Sequence, residues 1–327
     1  MPLLADRCQV AIKQEAVAGT PEVLAAANVV LTTDLPTFET DIEVTERNAL
    51  SKALSGRGHV VGARSAKIGF KMHLRGTTGA PTDPANLPDF TVPMRSCGAL
   101  AVVSGAGPNE ITTFTPSSTT ITDETTGAYC SCAIFRDGKQ YLIHGAVGNA
   151  VIHFRRAAPV AVDFSLTGVF NKPTDVGLLS PSYPAIVEPP FASAALSILG
   201  FTTAKIDELT FDMGNEVVMR PYPNGASGFF TAQIVRRKPK VSFTPEEELA
   251  TTKDYWNEFL AGTTGSITTG VFPSTGSNYN QLIFTAPKAQ YRSVGHDNRD
   301  GIVTSAIEAM LLANSDAGDD EWSLVQT

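Results

Sequence analysis

One stretch of this chain occurs twice. Thr37 to Phe70 laid over Thr210 to Phe243, without a gap and at a constant offset of 173, matches at nine of 34 positions. These are Thr37/Thr210, Phe38/Phe211, Glu43/Glu216, Val44/Val217, Arg47/Arg220, Ala53/Ala226, Arg64/Arg237, Lys67/Lys240 and Phe70/Phe243. Average residue usage gives roughly two such matches by chance. The order of the later segments is repeated too. Each copy carries a short helical candidate (about Pro88 to Cys97, then Pro245 to Leu260) closed by Gly98 or Gly262. Extended segments containing Leu142-Ile143 or Leu282-Ile283 come next, and a last strand ends near Asn171 or Asn314. In the first copy Pro93 is expected to break or kink the helix. Self-similarity at a fixed period decides architecture before any motif does, and here it predicts one unit of about 140 residues present twice. The expected division is an N-terminal arm over 1–30, a first domain over 31–172, a linker over 173–190, a second domain over 191–314 and a tail over 315–327.

The unit is expected to be mainly β. The chain holds 27 glycines and 21 prolines between short apolar alternations, so turns are frequent and helices few. Asp137-Gly138 separates two strand-like runs as a type I′ hairpin turn would, and Asp300-Gly301 is a weaker second case. The clearest helix signal is Thr244-Pro245-Glu246-Glu247, which reads as an N-cap, a first-turn proline and an N3 glutamate ahead of Leu249, Trp256, Phe259 and Leu260. Gly262 would end that helix. The fold class predicted is two tandem β-sandwich or barrel-like domains, each with a flanking short helix.

Charge and composition exclude several functions. With 25 Lys+Arg against 33 Asp+Glu the net charge is −8, the wrong sign for a module that grips phosphates. No apolar run approaches the ~18 residues of a membrane-spanning helix, and charges near Met1 interrupt any signal-peptide pattern. A soluble, cytoplasm-folded chain without a membrane anchor is expected. Cys8, Cys97, Cys130 and Cys132 are too few and too scattered for a disulfide framework, and Cys130-Ser-Cys132 reads as core packing. No phosphate loop, G-x-S-x-G elbow or H-E-x-x-H pair occurs, and the five histidines lack ligand spacing. Neither a cofactor nor catalysis is expected. Asp297 to Gly301 and Asp316 to Glu321 do not follow a calcium-loop order and read as a turn and a solvated tail.

The repeated strand carries an acidic stripe. From Thr37 to Glu46, Phe38, Ile42 and Val44 alternate with Glu39, Asp41 and Glu43, which puts the apolar set in the core and three carboxylates on one face. Asp212 and Glu216 occupy the positions of Glu39 and Glu43 in the second copy. One reading is a solvated strand face; the other is a shared surface that keeps a polyanion from sticking. Two glycine-bearing loops come after these strands, Asn48 to Gly62 with Leu50, Leu54 and Arg57, and Pro221 to Gly228 with Tyr222. They read either as variable surface or as contacts to a neighbouring subunit. Arg47 and Arg220 close the acidic strands, poised for a carboxylate of a neighbouring domain or of their own.

The run Ile12-Lys-Gln-Glu15 to Gly19-Thr-Pro21, with Ala25 to Leu31, Phe38-Glu39, Ile42-Glu43 and Glu46-Arg47, resembles the major tail tube proteins of long-tailed (siphovirus) bacteriophages. Met94 to Gly98, Phe164 to Asn171 and Leu209 to Val218 fit the same pattern, so the resemblance spans roughly residues 10 to 314. It implies tail-tube-like domains that close into rings stacked as a hollow tube in the virion, with DNA delivered through the bore. Single-domain relatives form hexameric rings, so a duplicated chain is expected as a homotrimer with pseudo-sixfold rings. Tail terminator, tape-measure and baseplate proteins are the implied partners, and the bacterial host cytoplasm the implied place of assembly. Double-stranded DNA would pass without tight binding if Glu39, Asp41, Glu43, Asp212 and Glu216 face the lumen; on the outer wall the same stripe would only confer solubility. For interfaces between copies the expected residues are Arg47, Leu50, Leu54, Arg57, Arg220 and Tyr222, with the N-terminal arm and acidic tail as further contacts. Two other readings stay open: a different β-rich virion component (terminator, baseplate ring or receptor-binding module), and a hydrolase with a cleft between the repeats.

Overall fold

A computed structural model describes residues 3–47, 58–77, 79–81, 87–105, 110–125, 127–183, 185–274 and 279–327. The first half opens with β1 (Cys8–Gln14), a 3-10 turn at Ala26–Asn28 and the short β2 (Val29–Val30). β3 (Thr37–Glu46) and the long β4 (His59–His73) come next, then α1 (Thr91–Ser96), β5 (Ala99–Ser104), β6 (Ile111–Pro116) and α2 (Ser118–Thr122). β7 (Cys130–Arg136), β8 (Lys139–Arg155) and β9 (Ala161–Phe170) close this half as a meander. The second half runs through β10 (Thr174–Asp175), β11 (Ser197–Ile198), β12 (Ile206–Asp212), β13 (Asn215–Pro221), β14 (Phe229–Arg237) and β15 (Lys240–Pro245). It ends with α3 (Tyr255–Leu260), β16 (Thr264–Thr268), β17 (Leu282–Arg299), β18 (Ile302–Leu311) and β19 (Ser323–Gln326). The protein is mainly β, as the turn density predicts.

Eight antiparallel strands form the spine of the large sheet, in the spatial order β3, β4, β9, β8, β12, β15, β18, β17. The two halves use the same cross-strand registers. Thr37, Phe38 and Glu39 sit opposite Gly69, Ile68 and Lys67; at +173, Thr210, Phe211 and Asp212 sit opposite Ser242, Val241 and Lys240. Val44 faces Val61 just as Val217 faces Ile234. Phe70 faces Phe164, and Phe243 faces Ile307. Both predicted hairpins are present: Asp137 and Gly138 have φ of 41° and 105°, and Asp300 and Gly301 have 53° and 86°.

One face of the spine is apolar. Ile68, Leu166, Ile152, Leu209, Phe211, Val241 and Ala309 are buried in a single core cluster spanning both halves. Where the halves meet, Phe154 of β8 packs with Phe191, Phe272 and Phe284, and Phe211 of β12 packs with Phe284 and Trp322. Alternation at period two sends Glu39, Lys67, Thr167, Asp212 and Lys240 to the other face.

Several local expectations change. Thr244-Pro245 ends strand β15 instead of starting a helix, because Pro245 stands opposite Ile206 of β12 and the next residue, Glu246, bridges to Thr304 of β18. The helix begins at Tyr255, capped by Asp254, whose side chain accepts a hydrogen bond from Asn257 N at 2.9 Å. Pro93 does not break α1: it lies in the first turn, where a backbone N–H has no partner within the helix. Residues 8–14 of the expected arm form a strand paired along its length with β7, and Val10 and Ile12 are core residues. The acidic tail is anchored. Asp319 and Glu321 accept hydrogen bonds from Arg237 Nη2 at 2.8 and 3.0 Å, Trp322 and Leu324 are buried, and β19 pairs with β17 and β6.

Candidate assembly surface

The repeated acidic strand differs between its two copies. In the first, β3 is continuous, with a register shift between Ile42 and Val44. Only Phe38 of its apolar set packs inward, against Tyr141 and Phe170; Ile42 and Val44 are exposed, contrary to the expectation from alternation. The cause is distance from the core: past Asp41 the β3–β4 hairpin projects beyond the sheet it belongs to, because β9 pairs with β4 only from Ser65 onward. In the second copy the strand breaks at Gly214, whose φ is 63° and whose added Cβ would meet Lys238 O at 2.0 Å. β12 stays in the spine, while β13 and β14 leave it as a separate two-stranded hairpin.

That hairpin is the element of the site that sequence reasoning missed. It lies against the first half and buries Ala232 and Ile234, with Val217 and Met219 packed beside them, against Ala18, Ile121, Ala128, Tyr129 and Val147. Hydrogen bonds fasten its root, where Asn215 Nδ2 donates to Cys97 O (2.7 Å) and Gly148 O (2.9 Å), and Asn149 Oδ1 accepts from Asn215 N at 3.0 Å. Its tip is held by Arg64 N donating to Ser227 O at 2.9 Å. The signal available in the sequence was the repeat itself: Val44/Val217 and Val61/Ile234 keep apolar character at matched positions outside the core pattern.

The predicted site residues divide accordingly. Glu39 and Asp41 stand exposed on β3, and Glu43 lies at its register shift with its carboxylate against Gly62. Asp212 is on the same polar face of the spine and accepts hydrogen bonds from Asn149 Nδ2 and Gly214 N, both at 2.8 Å. Glu216 is on the β13–β14 hairpin, 3.8 Å from Arg236, so Asp212 and Glu216 do not share one strand. Arg220 pairs with Glu124 of the first half at 2.6 Å and lies 5.1 Å over the Phe230 ring. Tyr222 packs edge-on against Phe230 and is partly exposed. Arg47 is exposed at the end of β3, and Leu50, Leu54 and Arg57 lie outside the described residues.

The polar face is not purely acidic. Lys67 stands opposite Glu39 and Lys240 opposite Asp212, while Lys240 also binds Glu308 at 3.0 Å. Lys71 lies 3.7 Å from Asp163, and Arg292 lies 3.6 Å from Glu308. Lys71, Lys240 and Arg292 are thus paired with carboxylates of the same face, which lowers their attraction for a passing polyanion.

Other titratable groups have structural explanations. Glu15 is buried, and burial pushes its carboxyl up; it accepts hydrogen bonds from Gly145 N (2.6 Å), Ser131 Oγ (2.8 Å) and Gly19 N (2.8 Å), tying the end of β1 to the β8 bulge. Cys97, Cys130 and Cys132 are fully buried free thiols, with Cys130 pushed up to about 12 by burial. Among the described residues no group of three or more His, Cys, Asp or Glu side chains is placed to hold a metal ion. No helix of the described residues is long and apolar enough to cross a membrane.

A large antiparallel sheet, a docked hairpin arm and a polar face of mixed charge define a mainly β protein. The chain belongs to a phage tail family: the family model for phage tail tube proteins matches residues 5–309. This is a structural virion family and not an enzyme class. A search of curated proteins finds no match.

Proposed function

We propose that three copies of this chain close into a ring, and that rings stack into the hollow tail tube of a long-tailed (siphovirus) phage through which DNA is delivered. The observation that carries this reading is the continuous spine: two register-matched halves lie side by side in one sheet, as successive subunits of a ring would. Six such units from three chains give a pseudo-sixfold ring with heterologous contacts. A duplicated ancestral unit accounts for the offset of 173 and for the shared registers.

In this reading the polar face of the spine lines the bore. Glu39, Asp41 and Asp212 supply negative charge on this face, Glu43 and Glu216 carry it onto the two hairpins, and Lys67 and Lys240 sit across from acids, so DNA phosphates meet few uncompensated cations. DNA slides because Lys71, Lys240 and Arg292 are already engaged by carboxylates of the wall. The tube would meet terminator, tape-measure and baseplate proteins at its ends, after assembly in the bacterial host cytoplasm.

The test is light scattering behind size exclusion on the purified full chain, with negative-stain images of the same fractions. Three-chain rings or hollow tubes are expected. A protein that stays monomeric at high concentration, or that forms closed rings which never stack, overturns the tube reading; the second outcome favours a terminator or baseplate ring.

A further inference from the structure

The chain contains one seam between repeats and exposes the two edges that would make another. Inside the chain, the second part of β8 pairs with β12: Val151, Ile152 and His153 stand opposite Asp212, Phe211 and Thr210. The counterpart of β8 is β17. Five successive β8–β9 pairs, Asn149↔Ser165 to His153↔Ala161, recur as the β17–β18 pairs Ser293↔Glu308 to Asp297↔Thr304. The offsets are a constant 144 on β8 and 143 on β9. The counterpart of β12 is β3, at an offset of −173. Among the described residues, β3 pairs only with β4, and residues 293–299 of β17 pair only with β18. Thr37 and Glu39 of β3 and Ser293, His296, Asp297 and Asn298 of β17 are exposed. Asp297, a charged side chain of the kind found on edge strands, accepts from Asn298 N at 2.8 Å.

The projecting hairpin adds an independent observation. Val61 is 49% exposed, whereas its counterpart Ile234 is 4% exposed because the β13–β14 arm lies on the first half. His59 is exposed where Ala232 is buried, and Val44 is 52% exposed where Val217 packs into that cluster. An added Cβ on Gly98, just past α1, would meet Ile234 at 3.5 Å. Gly262 holds the same place after α3, with φ of 65° against 82° for Gly98, and Leu260 beside it is 79% exposed.

We propose that the outer edge of β3 in one copy pairs antiparallel with residues 293–299 of β17 in a second copy, in the register Glu39↔Gly295, Phe38↔His296 and Thr37↔Asp297. The β3–β4 hairpin then lies on the second half of that copy, with Val61 beside Gly262 and Leu260. This inference rests on the self-assembly reading and adds which edges meet and in what register. Within the internal seam, Met213 N donates to Ala150 O and Arg156 N to Asp207 O, so Thr210↔His153 is a narrow, non-hydrogen-bonded pair. Thr37↔Asp297 inherits that position, where Cα atoms about 4.5 Å apart suit a disulfide.

Cysteine pairing in the full-length chain tests the register. In a Cys8→Ser background, Thr37→Cys with Asp297→Cys is expected to cross-link between chains into dimers and closed trimers under mild oxidation. Thr37→Cys with Arg299→Cys, displaced by about 7 Å along the strand, is expected to cross-link about tenfold less. Val61→Asp should lower the assembled fraction at least about tenfold while leaving the melting temperature of the monomer unchanged, since the side chain is half exposed there. Rings or tubes that form without the Thr37–Asp297 cross-link, or that tolerate Val61→Asp, overturn the register and leave the tube reading standing. A chain that neither assembles nor cross-links overturns both.

Discussion

Phe211 of β12 stands directly opposite Ile152 of β8, and across that pair the first half of the chain hands its sheet to the second. Both side chains are fully buried, and Phe211 also packs with Phe284 at 4.7 Å and Trp322 at 5.2 Å between ring centroids. The seam is therefore part of the core and not a contact between separately folded bodies.

Truncating that contact should be costly. Phe211→Ala is expected to destabilise the chain by about 3–5 kcal/mol, since it removes a buried ring and leaves a cavity. Phe211→Leu, which keeps more volume, should cost clearly less. Urea unfolding of the two variants measures this, and a loss below about 1 kcal/mol for the alanine variant would show that the halves do not share one core.

Arg237 is the anchor of the C-terminal segment. Its guanidinium is largely buried against Asp319 and Glu321, so Arg237→Ala leaves Glu321 without its cation and Asp319 with Ser118 alone, and is expected to cost about 2–3 kcal/mol. The loss should be local. Hydrogen exchange at Ser323–Gln326, and at the Thr112–Phe114 segment paired with it, should rise well above that of the spine. Unchanged exchange there would refute the anchoring role.

His144 makes stability depend on pH. Burial lowers its pKa from 6.5 to about 4, and Asn171 Nδ2 lies 2.6 Å from its Nδ1. Between those values the unfolded chain binds a proton that the fold refuses, so stability is full above about pH 6.5 and falls as pH drops toward 4. The difference amounts to about 3 kcal/mol at pH 4. Denaturation of the protein and of His144→Gln at pH 7 and pH 4.5 isolates the effect: the variant should lose about 2 kcal/mol less over that interval. Parallel losses in the two proteins would place the acid sensitivity elsewhere.

Much of the fold is legible in residue order. Turn residues announce both hairpins because Asp-Gly can hold two positive φ angles in succession. The matched positions at an offset of 173 become matched registers because a strand's partner is chosen by its pattern of faces. Features that depend on the surroundings escape the sequence. Thr244-Pro245-Glu246-Glu247 has the chemistry of a helix start, yet two neighbouring strands claim it. Ile42 and Val44 have the spacing of core residues, but they sit past the point where any third strand reaches. The acidic stripe was visible, but its matching cations were not. Lys67 and Lys240 lie 28 residues beyond Glu39 and Asp212 in the chain and meet them only through the hairpin registers.

Gly214 lets one chain keep the same strand in two shapes. Where β3 runs on to Glu46, the second copy turns at Gly214 and its hairpin is spent on the first half, with Arg220 tied to Glu124. The two halves thereby divide labour that identical subunits would have to share. The β13–β14 hairpin clasps the first half, while the β3–β4 hairpin keeps Val44 and Val61 at the surface. The two are still joined at one point, where Arg64 N of β4 donates to Ser227 O at the tip of the clasp, so tightening one hairpin sets the position of the other.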